Sequence, residues 1–216
     1  MSHAYLAIAA CLAGSIPACF NRKDTHRVDY IVSSLLSIGV HPDLPHNDFN
    51  PLLRASITGD IDLAITLLQH GASHSYRDWL EGMPPLHHAA SNGHVHLVDV
   101  YLHAGAEVDA MDIDQWTALH WAACNNHPHI IKHLASAGAR LEAMTVSLRT
   151  PLHVAARYGQ EVAARTLLRL GASPSAQDED GQTPRDLAAT NGHREVVQVL
   201  DAWLSVASAI GPKKHL

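Results

Sequence analysis

The stretch Thr117–Asn126, Thr-Ala-Leu-His-Trp-Ala-Ala-Cys-Asn-Asn, has near-copies before and after it at a fixed distance, and nothing else in the 216-residue chain constrains its fold as strongly. Motifs beginning at Asn50, Pro84, Thr117, Thr150 and Thr183 are separated by 34, 33, 33 and 33 residues. A second marker, the glycine at Gly39, Gly71, Gly105, Gly138 and Gly171, steps by 32, 34, 33 and 33. Two independent markers that keep one period describe an array of like units. A unit of that size does not bury its own apolar face, so stacking must supply the core.

Each motif is suited to start a helix. A Thr can cap the N-terminus by accepting a backbone N–H bond, and Pro is tolerated at the first helical position because that N–H has no intrahelical partner. The Leu adds apolar area, and the Ala pair leaves room for another helix to come close. This short helix is expected to stop at Gly59, Gly93, Asn126, Gly159 or Gly192, where a left-handed residue can end it. A second helix follows, marked by Val95, Leu97, Val98, Tyr101 and Leu102 in one unit and by Ile130, Ile131 and Leu134 in the next. Gly105, Gly138 and Gly171 close it, and polar turn material such as residues 108–116 leads to the next unit.

The runs Pro-Pro-Leu-His-His-Ala-Ala from Pro84, Thr-Ala-Leu-His-Trp-Ala-Ala from Thr117 and Thr-Pro-Leu-His-Val-Ala-Ala from Thr150 resemble the ankyrin repeat family. That family's unit is about 33 residues with a Thr-Pro-Leu-His-x-Ala core. The resemblance covers Pro45–Leu204 and implies an all-α fold, an α-solenoid of helix-turn-helix repeats with projecting turns. It divides the chain into a divergent N-terminal capping repeat over 1–44, an ankyrin repeat domain over 45–204 and a C-terminal tail over 205–216. The domain holds five repeats, the last a C-terminal cap. Departures from the pattern are Leu53 for the motif His, Ala118 for Pro, Asn126 for the turn Gly, and Leu148 for the Gly of the linking turn. In the last unit Arg185-Asp186 replaces Leu-His, which suits a cap whose outer face meets water, and Trp203 is expected to cover the end of the core. The linking segment 75–83 is one residue longer than its counterparts and carries Tyr76, Trp79, Leu80 and Met83, apolar surface that either packs or binds.

A net charge of −6 argues against nonspecific nucleic-acid binding, which needs a basic surface. Cys11, Cys19 and Cys124 lack the paired spacing of a zinc site and read as free thiols. Tyr5–Phe20 is apolar like the core of a signal peptide, yet no Lys or Arg precedes it and it is too short to span a bilayer. Leu6, Ala9 and Ala10 also match the repeat motif, so a targeting segment and a repeat helix both stay open for residues 1–20. The expected setting is a cytoplasmic monomer off the membrane, with nuclear or host-delivered chains as the alternatives.

Eighteen histidines raise the question of a metal. The resemblance implies that His87, His120 and His153 bond neighbouring backbone and Thr groups, while His94, His127 and His193 follow the turn residue. His129 and His133 share a helix face at i and i+4, and His96 occupies the repeat position of His129. Two imidazoles can ligate zinc, but a tight site needs further ligands, and His-Ile-Ile-Lys-His lacks the Glu of a metalloprotease pair. A solvated, protonatable face is the competing reading. No nucleophile, base and orienting group converge and no phosphate-binding Gly-rich loop is present, so no catalysis and no cofactor are expected.

In the ankyrin family the variable turn tips and the outer side of the short helices form a concave binding face. The resemblance therefore places Leu80, Met83, His88, Ile113, Asp114, Trp116, Trp121, Asn125, Arg149, Arg157 and Tyr158 against a partner. Trp116, Trp121, Arg157 and Tyr158 are the expected anchors, because Trp, Tyr and Arg combine large area with a polar handle. The competing reading packs Trp121 between neighbouring first helices and lays Trp116 over a turn. The expected function is noncatalytic recognition of another protein or peptide, as a scaffold, adaptor or inhibitor. A metal- or pH-dependent histidine sensor and a secreted ankyrin effector are the alternatives.

Overall fold

The computed structural model describes Leu36, Gly39, residues 41–43 and residues 50–210, with side chains as far as Ser205. Among the described residues the chain forms helices and no strand, in pairs of a short and a longer helix. These are α1 (Pro51–Thr58) with α2 (Ile61–Gln69), α3 (Pro85–Ser91) with α4 (Val95–His103), and α5 (Ala118–Cys124) with α6 (Pro128–Ser136). Two further pairs follow: α7 (Pro151–Arg157) with α8 (Glu161–Leu170), and α9 (Pro184–Thr190) with α10 (Arg194–Ile210). The short helices pack side by side in one layer and the longer ones in a second, which is the all-α solenoid the repeat period predicts.

The short helices begin at the expected residues, through a shared side-chain device. Nδ1 of His120 lies 3.0 Å from Thr117 Oγ1 and accepts from the Thr117 amide at 3.1 Å. His153 repeats this with Thr150 at 2.9 and 3.2 Å. The other ring nitrogen, Nε2, meets a backbone carbonyl of the following turn: Trp116 for His87, Arg149 for His120 and Gln182 for His153, at 3.0, 3.1 and 3.1 Å. His120 and His153 are thus buried struts between a helix start and the next turn, whereas His87 makes only the bond to the turn. Burial pushes His87 and His120 down to about 4, so both rings are neutral at physiological pH. In the first and last described units other side chains cap the short helix. Asn50 Oδ1 accepts from the amides of Leu52 and Leu53 at 2.8 and 3.2 Å, and Asp186 Oδ2 takes the Thr183 hydroxyl at 2.6 Å.

The turn that ends each short helix also locks one unit to the next. Gly59, Gly93 and Gly159 have φ of 81°, 83° and 71°, and a Cβ there would come within 2.7, 2.9 and 2.6 Å of His94, His127 and His193. Those rings donate to the carbonyls of Ile57, Ser91 and Arg157 at 3.1, 3.0 and 2.9 Å. At the remaining internal turn both partners differ. Asn126 holds φ 58°, and in place of a histidine stands Gln160, whose amide donates to the Cys124 carbonyl at 2.7 Å. Asn126 Oδ1 in turn accepts from the Ala163 amide at 2.9 Å, so this departure from the pattern is one half of a paired exchange.

The core follows the motif. Leu52, Leu86, Leu119 and Leu152, with Ala89, Ala90, Ala122, Ala123, Ala155 and Ala156, are buried against neighbouring units. Fully burying a Leu contributes roughly 1.5–3 kcal/mol, and here a neighbouring unit is needed to complete the burial. Leu97, Val98, Tyr101, Ile130, Ile131, Leu134, Ala163, Ala164 and Leu167 form the second layer, where the Tyr101 hydroxyl meets Ser56 Oγ at 2.6 Å.

At the C-terminal end two expectations need correction. Trp203 is exposed, and Val196, Val199 and Leu200 close the core instead, because α10 turns those side chains inward. That helix also runs to Ile210, past the expected boundary at Leu204. At the other end, Leu36 is buried and Asp43 accepts from the Ser73 amide at 2.8 Å, while the expected capping repeat over 1–44 lies, apart from Leu36, Gly39 and residues 41–43, outside the described residues. No helix among the described residues is long and apolar enough to cross a membrane.

Candidate functional site

Between helix pairs the chain projects as narrow turns, or fingers, over residues 78–83, 112–116, 145–149 and 178–182. Each closes with a backbone bond from its first amide to its last carbonyl: Asp78 to Met83, Asp112 to Trp116, Thr145 to Arg149 and Asp178 to Gln182, all at 3.0 to 3.1 Å. Neighbouring fingers are joined near their tips, where the amides of Ile113, Val146 and Glu179 donate to the carbonyls of Glu81, Asp114 and Ser147 at 3.0, 3.1 and 3.2 Å. The tips therefore form a fixed row.

An acid at the base shapes three of these fingers. Asp78 Oδ1 accepts from the amides of Glu81 and Gly82, Asp112 Oδ1 from Asp114 and Trp116, and Asp178 Oδ1 from Asp180 and Gln182. In the third finger Thr145 Oγ1 does the same for the Arg149 amide at 3.2 Å. The second carboxylate oxygen takes a different side chain each time: His88 at 2.8 Å on Asp78, the Trp121 indole at 3.0 Å on Asp112, and Arg149 at 3.1 Å on Asp178. Burial opposes ionisation of Asp78, but the Glu81 amide and His88 outweigh it and hold the carboxyl below its usual range. At Asp178 burial is likewise outweighed, by the Gln182 amide and Arg149. At Asp112 burial prevails over the Trp116 amide and the Trp121 indole and raises the carboxyl, since no cation is bonded to it.

Sequence reasoning missed these basal acids. Asp78, Asp112 and Asp178 share one repeat position, which was a usable signal, but Thr145 interrupts the series and Asp is common in exposed turns.

The expected contact residues separate into distinct groups. Leu80, Ile113 and Val146 occupy one repeat position at the tips and are 63, 66 and 58% exposed, with Glu179 in the fourth finger. The extra residue of the first finger is Trp79, which is 70% exposed. Asp114, Asn125, Arg157 and Tyr158 are exposed as well, with Asn125 bonded to Ser91 Oγ at 3.0 Å across the short helices. His88, Trp121 and Arg149 are half-buried and engaged with the basal acids. Trp116 packs tilted against Trp121, at 4.8 Å between ring centroids and 44° between planes, and its ring centroid is 5.9 Å from that of His120, so the tryptophans form a pair that braces the second finger. Met83 requires correction. It is 4% exposed, whereas its repeat equivalents Trp116, Arg149 and Gln182 remain half-buried, because a thioether has no polar tip to leave in water.

Elsewhere the candidate metal ligands do not converge. Nδ1 of His133 is 2.8 Å from Asp99, His96 and His129 are exposed, and no group of three or more His, Cys, Asp or Glu among the described residues could hold a metal ion. Burial raises the Cys124 thiol above its ordinary value, away from a reactive thiolate.

The family model described as ankyrin repeats matches this chain in three copies, over residues 52–145, 86–178 and 145–202. A protein of Arabidopsis thaliana named as a candidate E3 ubiquitin-protein ligase, XBAT34, is 43% identical over 70 residues. That match covers 32% of this chain and 19% of the Arabidopsis protein's length. The family match spans most of the described residues and falls on the helix pairs and fingers above: the chain belongs to the ankyrin repeat family, whose repeats are protein-interaction modules.

Proposed function

We propose that this chain is a noncatalytic interaction module that binds a segment of another protein through the finger tips and the adjoining concave side of the short helices. What supports the reading is a division of labour within the repeat. At the scaffold positions Leu, His and the Ala pair recur and are buried, while at the tip position Leu80, Ile113 and Val146 are large, apolar and exposed. Apolar area of that kind in a contiguous row marks an interaction site. Leu80, Ile113, Asp114, Asn125, Arg157 and Tyr158 would meet the partner directly. His88, Trp116, Trp121 and Arg149 would act one step back, by setting the fingers through the basal acids and the tryptophan pair. The module works as a cytoplasmic monomer, its surface already in place before the partner arrives, which limits the ordering cost of binding.

The histidines favour this reading over a sensor. His87, His94, His120, His127, His153 and His193 each bond a backbone carbonyl of a neighbouring unit, so they serve the scaffold. Capture of proteins by the purified chain, compared with the variant Ile113→Ser plus Tyr158→Ala, tests the proposal. Proteins that bind the wild type saturably and are lost by a variant of unchanged melting temperature are the expected result. Equal capture by both chains would remove the concave face from consideration.

A further inference from the structure

We propose that the row of finger tips is a docking strip for an extended peptide segment that carries both large apolar side chains and lysine or arginine. The proposal rests on the interaction-module reading above and adds the partner's chemistry. Two parallel rows carry it. The apolar row is Trp79, Leu80, Ile113 and Val146, all more than half exposed. Beside it, one residue further along each finger, stand Glu81, Asp114, Ser147 and Asp180, and Glu179 ends the apolar row itself with another carboxylate.

Among the described residues the carboxylates of Glu81, Asp114 and Glu179 make no hydrogen bond or ion pair, and Asp180 has Arg149 only at 3.8 Å. Two arginines of the linking segments, Arg77 and Arg149, are committed elsewhere. Arg77 donates to the carbonyls of Gly82 and Met111 at 2.8 and 2.5 Å, and Arg149 is held on Asp178. The strip therefore presents unneutralised negative charge along exposed apolar surface, in a row joined by the amide-to-carbonyl bonds between fingers. An interface core of apolar contacts with a charged rim selects a partner by charge as well as by shape. A second copy of the chain would meet the strip with the same carboxylates, and a nucleic acid or an anionic lipid surface would also bring like charge. A cationic, apolar segment is the occupant that satisfies both rows.

Fluorescence anisotropy with labelled dodecapeptides tests this on the full chain. The probe has alternating Lys and Val, with one control replacing Lys by Glu and another replacing Val by Ser. The wild type is expected to bind the Lys-Val probe about tenfold or more tighter than either control, with affinity falling as salt rises. Glu81→Gln with Asp114→Asn and Glu179→Gln is expected to abolish the preference for Lys over Glu and flatten the salt dependence. Leu80→Ser with Ile113→Ser and Val146→Ser is expected to lose the preference for Val over Ser, at a melting temperature within a few degrees of wild type. No binding of the Lys-Val probe at about 1 mM, equal binding of all probes, or preferences that survive the tip substitutions would overturn the proposal. So would self-association of the wild type that the tip substitutions abolish. A natural partner lost by Arg157→Ala with Tyr158→Ala but kept by the tip variants would leave the interaction-module reading standing and remove the strip. Retention by every variant would remove both.

Discussion

The rings of His87 and His120 share their burial and their bond to the next turn but differ at Nδ1. Both are buried, both donate through Nε2 to a carbonyl of the next turn, but Thr117 gives His120 Nδ1 two partners and Pro84 gives His87 Nδ1 none. A buried unsatisfied acceptor costs about 1–3 kcal/mol. Pro84→Thr would supply a hydroxyl and an amide, offset by about 0.4–1 kcal/mol for the freer unfolded chain. The expected net gain is about 1 kcal/mol, read by urea denaturation; no gain would mean that Nδ1 is solvated by other means. The same histidines set a pH dependence. Their folded values are depressed to about 4 against 6.5 unfolded, with His153 shifted in the same direction. The fold thus opposes protonation, so stability is full above pH 6.5 and is lost as pH falls toward 4. Each of the two rings contributes a limiting slope of about 1.4 kcal/mol per pH unit. Melting temperatures should therefore drop steadily from pH 6.5 to 4.5, and a flat profile would contradict the burial assigned to these rings.

Elements are joined by matched pairs, which single residues do not reveal. A Gly turn accommodates a His from the next unit, and Asn126 accommodates Gln160. Gln160→His alone would drive an imidazole into the Asn126 side chain, while Asn126→Gly alone would lose the bond to the Ala163 amide. Combined, they recreate the arrangement of Gly93 with His127. A double-mutant cycle should show each single change destabilising and a favourable coupling of about 1 kcal/mol or more; strict additivity would deny the pairing. Among the fingers the strained position is shared by Gly82, Gln115, Leu148 and Gly181, at φ of 68°, 61°, 56° and 72°. Left-handed Leu costs roughly 1–2 kcal/mol, and Gly gives back about half of that through its unfolded-state entropy. Leu148→Gly is thus expected to raise stability by about 0.5–1 kcal/mol, read by thermal melting; an unchanged or lower melting temperature would deny the strain.

Across the whole molecule, the array was legible because its physics repeats. A Leu or Ala that must meet the same neighbour in each unit returns with the period, so helix starts, helix ends and both layers of the core could be placed from the sequence alone. Features that do not repeat were harder to place. Met83 was expected at the surface because Trp116, Arg149 and Gln182 share its position, yet a side chain without a polar tip turned inward there. Trp203 was expected to cover the end of the core, but α10 continues as a regular helix and directs Val199 and Leu200 to the core instead. Of the candidate surface, the tips at Leu80 and Ile113 were recognised as varied positions, whereas the acids beneath them were not, because their role lies in bonds to backbone amides. The most direct test of the account is amide hydrogen exchange of the full chain with and without a captured partner. Protection is expected at residues 79–81, 113–115 and 146–148 and at the C-terminal end of α7, with α2, α4, α6 and α8 unchanged. Protection confined to those outer helices, with the fingers exchanging freely, would contradict it.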